Sequence, residues 1–287
     1  MDDPLNLKQV VDTDRYPVSA PTGSGWRRAA LRSREELRTV GCSVLPGFIR
    51  AGVVDEVRRE CSTVAPLGYY DVETVNVYNT APGPSLPAGH PARTVMERTN
   101  AFVARDRIPE QLIIHRLYSD PLVQRFIACC FDLPRVWELA DPLAGLCLNV
   151  VPPGKDHPWH FDKNELTVSV VTQAPEAGGS FEYCPNIRSP HRENFDDVRA
   201  VLAGRARHLV RSLALRPGDL QLFRGRYALH RVRTVQGDQE RHSALFAYAD
   251  RAGVIGTVSR TRQLFGRVLP AHLAAESDAV RVDQLLD

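Results

Sequence analysis

Two hydrophobic periods divide this chain. In the first half, apolar residues recur at helical spacing: residues 50–61 (RAGVVDEVRREC) set Val53, Val54 and Val57 on one face. In the preceding segment, SREELRTVG, Ser33 and Glu36 have capping-box spacing, so a helix is predicted to start at Ser33 and close at Gly41. Between the two lies CSVLPGFI, a short apolar strand stopped by Pro46 and Gly47. Residues 107–131 read as a helix, a turn at Ser119–Asp120–Pro121 and a second helix, with Cys129 and Cys130 as core packing. Residues 1–25, polar and rich in Pro and Gly, are expected to form an arm or a loosely attached cover. Residues 65–95 place Tyr69, Tyr70 and Tyr78 among prolines and glycines without a sustained period. They are either a lid over a site or a surface insertion.

From about residue 143 the period falls to two. Leu166, Val168 and Val170 alternate with Thr167 and Ser169, the pattern of a half-buried strand. LAGLCLNVV, ELTVSVVT, GSFEYCP, RSLALRPGD, LQLFRG and SALFAYAD are similar runs. Turn signals separate them at Pro152–Pro153–Gly154, Gly178–Gly179 and Pro217–Gly218–Asp219. Many short strands at even spacing predict a mainly β fold with flanking helices, a sandwich or barrel of the jelly-roll type. Residues 190–208 form a charged, helix-like insertion, and the tail from 260 is expected to pack a helix back on the barrel. The expected organisation is a single domain over 1–287. Its parts are an N-terminal arm (1–32), a helical support and lid (33–135), a jelly-roll core (136–255) and a C-terminal extension (256–287).

Composition changes this picture little. With 43% hydrophobic and 24% charged residues and a net charge of +2, the chain has an ordinary globular composition. Nothing in that charge favours nucleic acid or an anionic membrane as partner. No apolar run is long enough to span a bilayer, and MDDPLNLKQVVDTDRYP lacks the layout of a signal peptide. The six cysteines form no CxxC pair. The expectation is a cytoplasmic protein with reduced cysteines acting on a small molecule; the oligomeric state is not legible.

The chemistry gathers in two places. In His157-Pro158-Trp159-His160-Phe161-Asp162, His160 and Asp162 are two apart, so an extended backbone points both the same way. His230, 68 residues beyond Asp162 in GRYALHRV, is the candidate third ligand. Two imidazoles and one carboxylate make the facial triad of non-haem Fe(II) oxygenases, which leaves three coordination positions open. Arg241 follows His230 by 11 residues and Ser243 follows by two more. On a strand they share a side, and an arginine fork with a hydroxyl suits the far carboxylate of a chelated 2-oxoacid. Arg231 and Arg233 compete for that role but stand too close to His230 to span a five-carbon cosubstrate.

WHFDKNELTVSVVTQAPEAGGSFEYCPNIRSP, followed by LRPGDLQLFRGRYALHRV, resembles one branch of the Fe(II)/2-oxoglutarate oxygenase superfamily, that of the free amino-acid hydroxylases and the related amino-acid radical halogenases. REELRTVGCSVLPGFI is similar to the phytanoyl-CoA hydroxylase-like group. The resemblance covers about residues 33–255 and is strongest over 138–250. It implies a double-stranded β-helix (jelly roll, cupin-like), with Fe(II), 2-oxoglutarate and O2 as cofactor and cosubstrates, and release of succinate and CO2. The halogenases carry glycine or alanine in place of the carboxylate of HxD and bind chloride there. This chain has Asp162, so oxygenation is expected. The resemblance also assigns His157 to a substrate carboxylate; otherwise it is a loop histidine beside the metal. The lysine-type relatives place an acid directly after the motif, where this chain has Lys163, which favours a neutral or acidic substrate tail. Arg98, Glu138 and Asp141 are candidates to grip a zwitterion or are structural ion pairs. Asn149 is a candidate contact to 2-oxoglutarate. Trp159 and Phe161 are expected to pack beneath the ligand, and Glu182 and Tyr183 to lie near the cosubstrate side. The same centre also supports desaturation, cyclisation or C–C cleavage. A reading of another class is a non-catalytic metal-binding sensor.

Overall fold

The alternation of period two decides the architecture. The computed structural model describes residues 5–80, 86–276, 283, 285 and 286. Its two main sheets are built mostly from β1 (Cys42–Leu45), β2 (Ala101–Val103), β3 (Leu146–Val151), β4 (His157–His160), β5 (Leu166–Gln173), β6 (Phe181–Cys184), β7 (Arg211–Leu213), β8 (Leu220–Phe223), β9 (Leu229–Val232) and β10 (Arg241–Ala249). The major sheet runs β1-β8-β5-β10-β3-β2, with the short strand Trp137–Glu138 also paired to β10; the minor sheet runs β7-β6-β9-β4. All these pairings are antiparallel. This is the expected mainly β jelly roll with flanking helices.

In the major sheet one face serves the core and the other a cavity. Leu166, Val168 and Val170 on β5, Leu220 and Leu222 on β8, Ala244, Phe246 and Tyr248 on β10, and Leu146, Leu148 and Val150 on β3 join one hydrophobic cluster. Their neighbours Thr167, Ser169, Gln221, Phe223, Ser243, Leu245, Cys147 and Asn149 face the cavity. Shifting any of these strands by one residue exchanges the two sets, so burial pins the register.

The helices α1 (Ser24–Val40), α2 (Ala51–Val64), α3 (Ile113–Ser119) and α4 (Pro121–Cys130) cover the apolar face. Trp26 on α1 meets Phe126 on α4 edge-on at 5.9 Å. The helix read as starting at Ser33 begins nine residues earlier, at Ser24; Ser33 lies fully buried inside it, and Gly41 closes it in the left-handed conformation at φ 67°. The capping-box spacing was coincidental, because burial of Trp26 and Ala30 extends the helix toward the N-terminus. The arm is not loose either: Leu7, Val10, Val11, Tyr16 and Val18 are core residues, and Tyr16 donates its hydroxyl to the Pro46 carbonyl at 2.9 Å. Residues 190–208 contain α5 (Phe195–Leu202), and the tail supplies α6 (Val258–Phe265) and α7 (Pro270–Ala274). All six cysteines are free. Among the described residues no helix is long and apolar enough to cross a membrane.

Candidate metal centre and cavity

The minor sheet brings two histidines together by register. On the antiparallel pair β4 and β9, His160 stands directly opposite His230. Between them and the next pair, Val232 with His157, the register shifts: three residues of β4 span two of β9. This bulge re-aims a side chain as bulges do, so His157 and His160, three apart, both line the cavity, their rings stacked at 3.9 Å. Asp162 lies beyond the end of β4. Its amide donates to the Gly225 carbonyl at 3.1 Å, and its Oδ1 comes to 3.6 Å from His160 Nε2 and 3.4 Å from His230 Nε2. The three donor atoms lie within 4.8 Å of one another.

The local bonds prepare these donors for a cation. His160 Nδ1 bonds the Pro158 carbonyl at 2.8 Å, and His230 Nδ1 bonds the Ala228 carbonyl at 2.9 Å. A carbonyl only accepts, so each Nδ1 carries the proton and each Nε2 turns a lone pair to the centre. Burial pushes the pKa of His160 down to about 4, with His230 beside it adding to the effect. Burial opposes charge on Asp162 too, but the adjoining imidazoles outweigh it and hold the carboxyl well below its usual value. Neutral imidazoles and an ionised carboxylate are the forms that bind a metal. Borderline nitrogen donors with a single hard oxygen, on one side of an open cavity, fit Fe(II).

The site is also shaped around the carboxylate. Thr167 donates its hydroxyl to Asp162 Oδ2 at 3.0 Å, leaving Oδ1 facing the imidazoles. A Cβ at Gly225 would overlap Asp162 Oδ2 and stand 2.6 Å from its Cγ. No side chain fits at 225 while the carboxylate is in place.

The cavity of about 230 Å³ runs from this centre across the polar face of the major sheet. Arg241 and Ser243, on one face of β10, line it, and Arg241 Nη1 donates to Ser243 Oγ at 2.7 Å. Among the described residues no carboxylate pairs with Arg241, and burial pushes its pKa down to about 10. A lone buried guanidinium beside a hydroxyl is the counterpart of a ligand carboxylate. Arg231 and Arg233 do not compete: Glu182 takes both, at 2.7 and 3.6 Å.

His157, Lys163 and Asn149 also line the cavity. Asn149 Oδ1 accepts from Asn100 Nδ2 at 2.7 Å. Three expected substrate residues do not line it. Arg98 is fully buried and donates to Glu73 at 2.9 Å and to the Gln263 carbonyl at 2.7 Å. Glu138 accepts from Arg105 at 2.8 Å and from Gln124 at 3.0 Å. Asp141 is fully buried, accepting from the amides of Leu143, Ala144 and Gly256 and bonded to His272. All three are paired within the protein. Trp159 lies under the Arg231 guanidinium, and Phe161 is stacked on Tyr78 at 5.6 Å. The segment 76–80 is therefore no surface insertion: Val77 O accepts from Phe161 N at 2.8 Å and Asn79 donates to Phe161 O at 3.1 Å, so it clamps the metal loop. Residues 81–85 lie outside the described part.

Sequence reasoning missed Gly225, Thr167 and Arg260. Thr167 had its signal, as a polar position on the alternating strand that follows Asp162. Gly225 and Arg260 had none.

The fold is that of the Fe(II)/2-oxoglutarate oxygenases. AviO1 from Streptomyces viridochromogenes Tue57 is similar over 78% of this chain and 96% of its own, with TM-score 0.54 and 16% identity. The α-ketoglutarate-dependent epimerase SnoN of nogalamycin biosynthesis is similar over 78% and 82%, with TM-score 0.53 and 16% identity. A prolyl hydroxylase from Trichoplax adhaerens, solved with a hypoxia inducible factor peptide, is similar over 80% and 96%, with TM-score 0.52 and 16% identity. Residues 91–263 match the family described as HalD, Halogenase D, and the chain belongs to that family. No curated protein matches the chain. Family and donor set together imply Fe(II) and 2-oxoglutarate as its cofactors.

Proposed function

We propose that this chain is an Fe(II)- and 2-oxoglutarate-dependent dioxygenase that hydroxylates an unactivated C–H bond of a small molecule, an amino acid or a derivative of one, and releases succinate and CO2. His160, Asp162 and His230 hold the iron; Arg241 and Ser243 orient the cosubstrate. The observation that carries the reading is Asp162 together with the space at Gly225 and the Thr167 hydroxyl that serve it. In the halogenases that the sequence resembles, glycine or alanine at this position makes room for chloride. Here a third protein ligand takes that room.

Bound at this centre, iron with 2-oxoglutarate and O2 supplies the oxidising power that breaks a C–H bond. The chain's own residues do the rest. Backbone carbonyls at Pro158 and Ala228 fix both imidazole tautomers. Arg241 fixes one end of the cosubstrate, so its other end is directed to the metal. Phe102, Leu139, Leu245, Val254 and Leu264 give the cavity an apolar wall that excludes water from the reacting carbon.

Membership of the Halogenase D family favours a second reading, chlorination. One experiment separates the two. Protein with Fe(II), ascorbate, 2-oxoglutarate and chloride is incubated with a panel of amino acids, and succinate and product masses are read. A product heavier by one oxygen atom supports hydroxylation. A chlorine isotope pattern sinks it, and loss of two hydrogens points to desaturation or cyclisation. Asp162→Ala and His160→Ala must each abolish turnover.

A further inference from the structure

Arg260 is a charged residue of the cavity that the oxygenase reading leaves unused. It stands in the first turn of α6 and lines the same space as His160, Asp162 and His230. Its Nη1 donates to Asn79 Oδ1 at 3.0 Å and to Gln263 Oε1. Both acceptors are neutral amides. Among the described residues no carboxylate lies within ion-pair distance of it, and burial pushes its pKa down to about 10. A cation removed from water without a counter-ion is strongly unfavourable, so a chain that keeps one holds it for a partner.

The nearby charges are already committed. Arg98 has Glu73 at 2.9 Å. Asp162 faces the two imidazoles and the metal position. Iron adds two positive charges, offset by Asp162 and by the carboxylate of 2-oxoglutarate at the metal; the far carboxylate offsets Arg241. Arg260 is left over. In the same cavity Phe102, Val254 and Leu264 offer an apolar surface for a hydrocarbon body.

We infer that Arg260 anchors a carboxylate of the substrate, so that the substrate, on the oxygenase reading above, is an acid bound as its anion. Asn79, which also donates to the Phe161 carbonyl between the two metal ligands, ties this anchor to the metal loop. The acid is thereby placed in fixed relation to the iron.

The other source of a carboxylate at Arg260 is the metal-bound end of 2-oxoglutarate, and the test separates the two. L-Amino acids, each paired with its carboxamide, are added to the Fe(II)-loaded enzyme, and succinate release is measured. Binding of 2-oxoglutarate to the oxygen-free holoenzyme is measured by calorimetry. At least one acid is expected to outdo its amide by about tenfold or more, the worth of a charge-assisted pair. Arg260→Gln should erase that difference while leaving 2-oxoglutarate affinity unchanged. Three results overturn the proposal: acids and amides that perform alike, no stimulation by any acid, or a 2-oxoglutarate affinity that falls with the substitution. If wild-type holoenzyme fails to bind 2-oxoglutarate at all, the oxygenase reading itself falls. A structural role is excluded without activity: metal-free Arg260→Met should melt at or above the wild-type temperature. A drop of several degrees overturns the proposal.

Discussion

Arg241 and Arg260 make an instructive pair. Both are guanidinium groups in one cavity, both lack a carboxylate partner among the described residues, and burial lowers both to about 10. They are held differently. Arg241 sits on a strand paired on both sides, within the same sheet as Thr167, Ser169 and Gln221. Arg260 sits on a helix of eight residues and is steadied by amide side chains from its own turn and from the segment that clamps the metal loop. On the proposed reading, the major-sheet wall holds the cosubstrate, while the iron ligands stand on the minor sheet and the loop after it. On the same reading, the helical wall holds the substrate. A strand register cannot drift without exchanging core and cavity faces, whereas a helix turn can change its side chains without disturbing the sheet.

The largest effect is expected where the sheet wall meets the metal loop. Gly225→Ala puts a methyl group into the space of the Asp162 carboxylate. Metal affinity and turnover should fall by at least about a hundredfold, more than a lost outer hydrogen bond costs, and Thr167→Val should fall by less. Calorimetric titration with Fe(II) without oxygen measures it. Full metal affinity in Gly225→Ala would mean that Asp162 is not a ligand.

Next in size is the clamp. Arg241→Gln should raise the KM for 2-oxoglutarate roughly a hundredfold, the worth of a buried charge-assisted pair, with little change in the KM for the acid substrate. Arg241→Lys should recover only part of it, because an ammonium lacks the planar fork. The two arginines serve separate ligands only if the two KM values move separately.

A smaller effect tests the helical wall by adding a charge. Gln263 Oε1 already accepts from Arg260. Gln263→Glu gives that guanidinium a built-in carboxylate. The acid substrate should then bind about tenfold more weakly, while the ligand-free protein gains up to about 1 kcal/mol from a partly buried ion pair. Steady-state kinetics and thermal melts check both halves. Stabilisation without any loss of affinity would mean that the substrate does not use Arg260.

What the sequence disclosed follows the same division. Period two in ELTVSVVT and SALFAYAD reports the sheet directly, since apolar positions there must face the core cluster. HxD, the distal histidine and the arginine 11 residues on are legible because strand geometry converts spacing into direction. The bulge in β4 was not, and it is the bulge that sets the face of His157. Arg98, Glu138 and Asp141 stood open between gripping a zwitterion and structural pairing because sequence shows a charge but not its partner; Glu73, Arg105 and His272 are 25, 33 and 131 residues away in the chain. Arg260 lies in SRTRQLF, a helical stretch that offers no spacing relation to HxD. Its direction depends on where α6 docks.

The smallest effect concerns protons and separates the two walls by pH. Burial takes His160 from its usual 6.5 down to about 4, and pushes His157 well below 6.5. Both arginines stay charged throughout that range. In the metal-free protein, the unfolded chain binds protons near 6.5 that folded His160 refuses until near pH 4, and burial makes folded His157 resist protonation in the same direction. The unfolded state therefore holds more protons across this window, and stability falls as the pH is lowered through it. Between about pH 7 and about pH 5.5 each such histidine should remove about 1 kcal/mol. Denaturant melts at the two pH values measure the loss, and His160→Gln should remove its share. Excess metal should flatten the dependence, because it binds the same neutral nitrogens that acid would protonate. A flat profile in the metal-free protein would mean that His160 carries its proton in the fold, and the centre would not be poised for a cation.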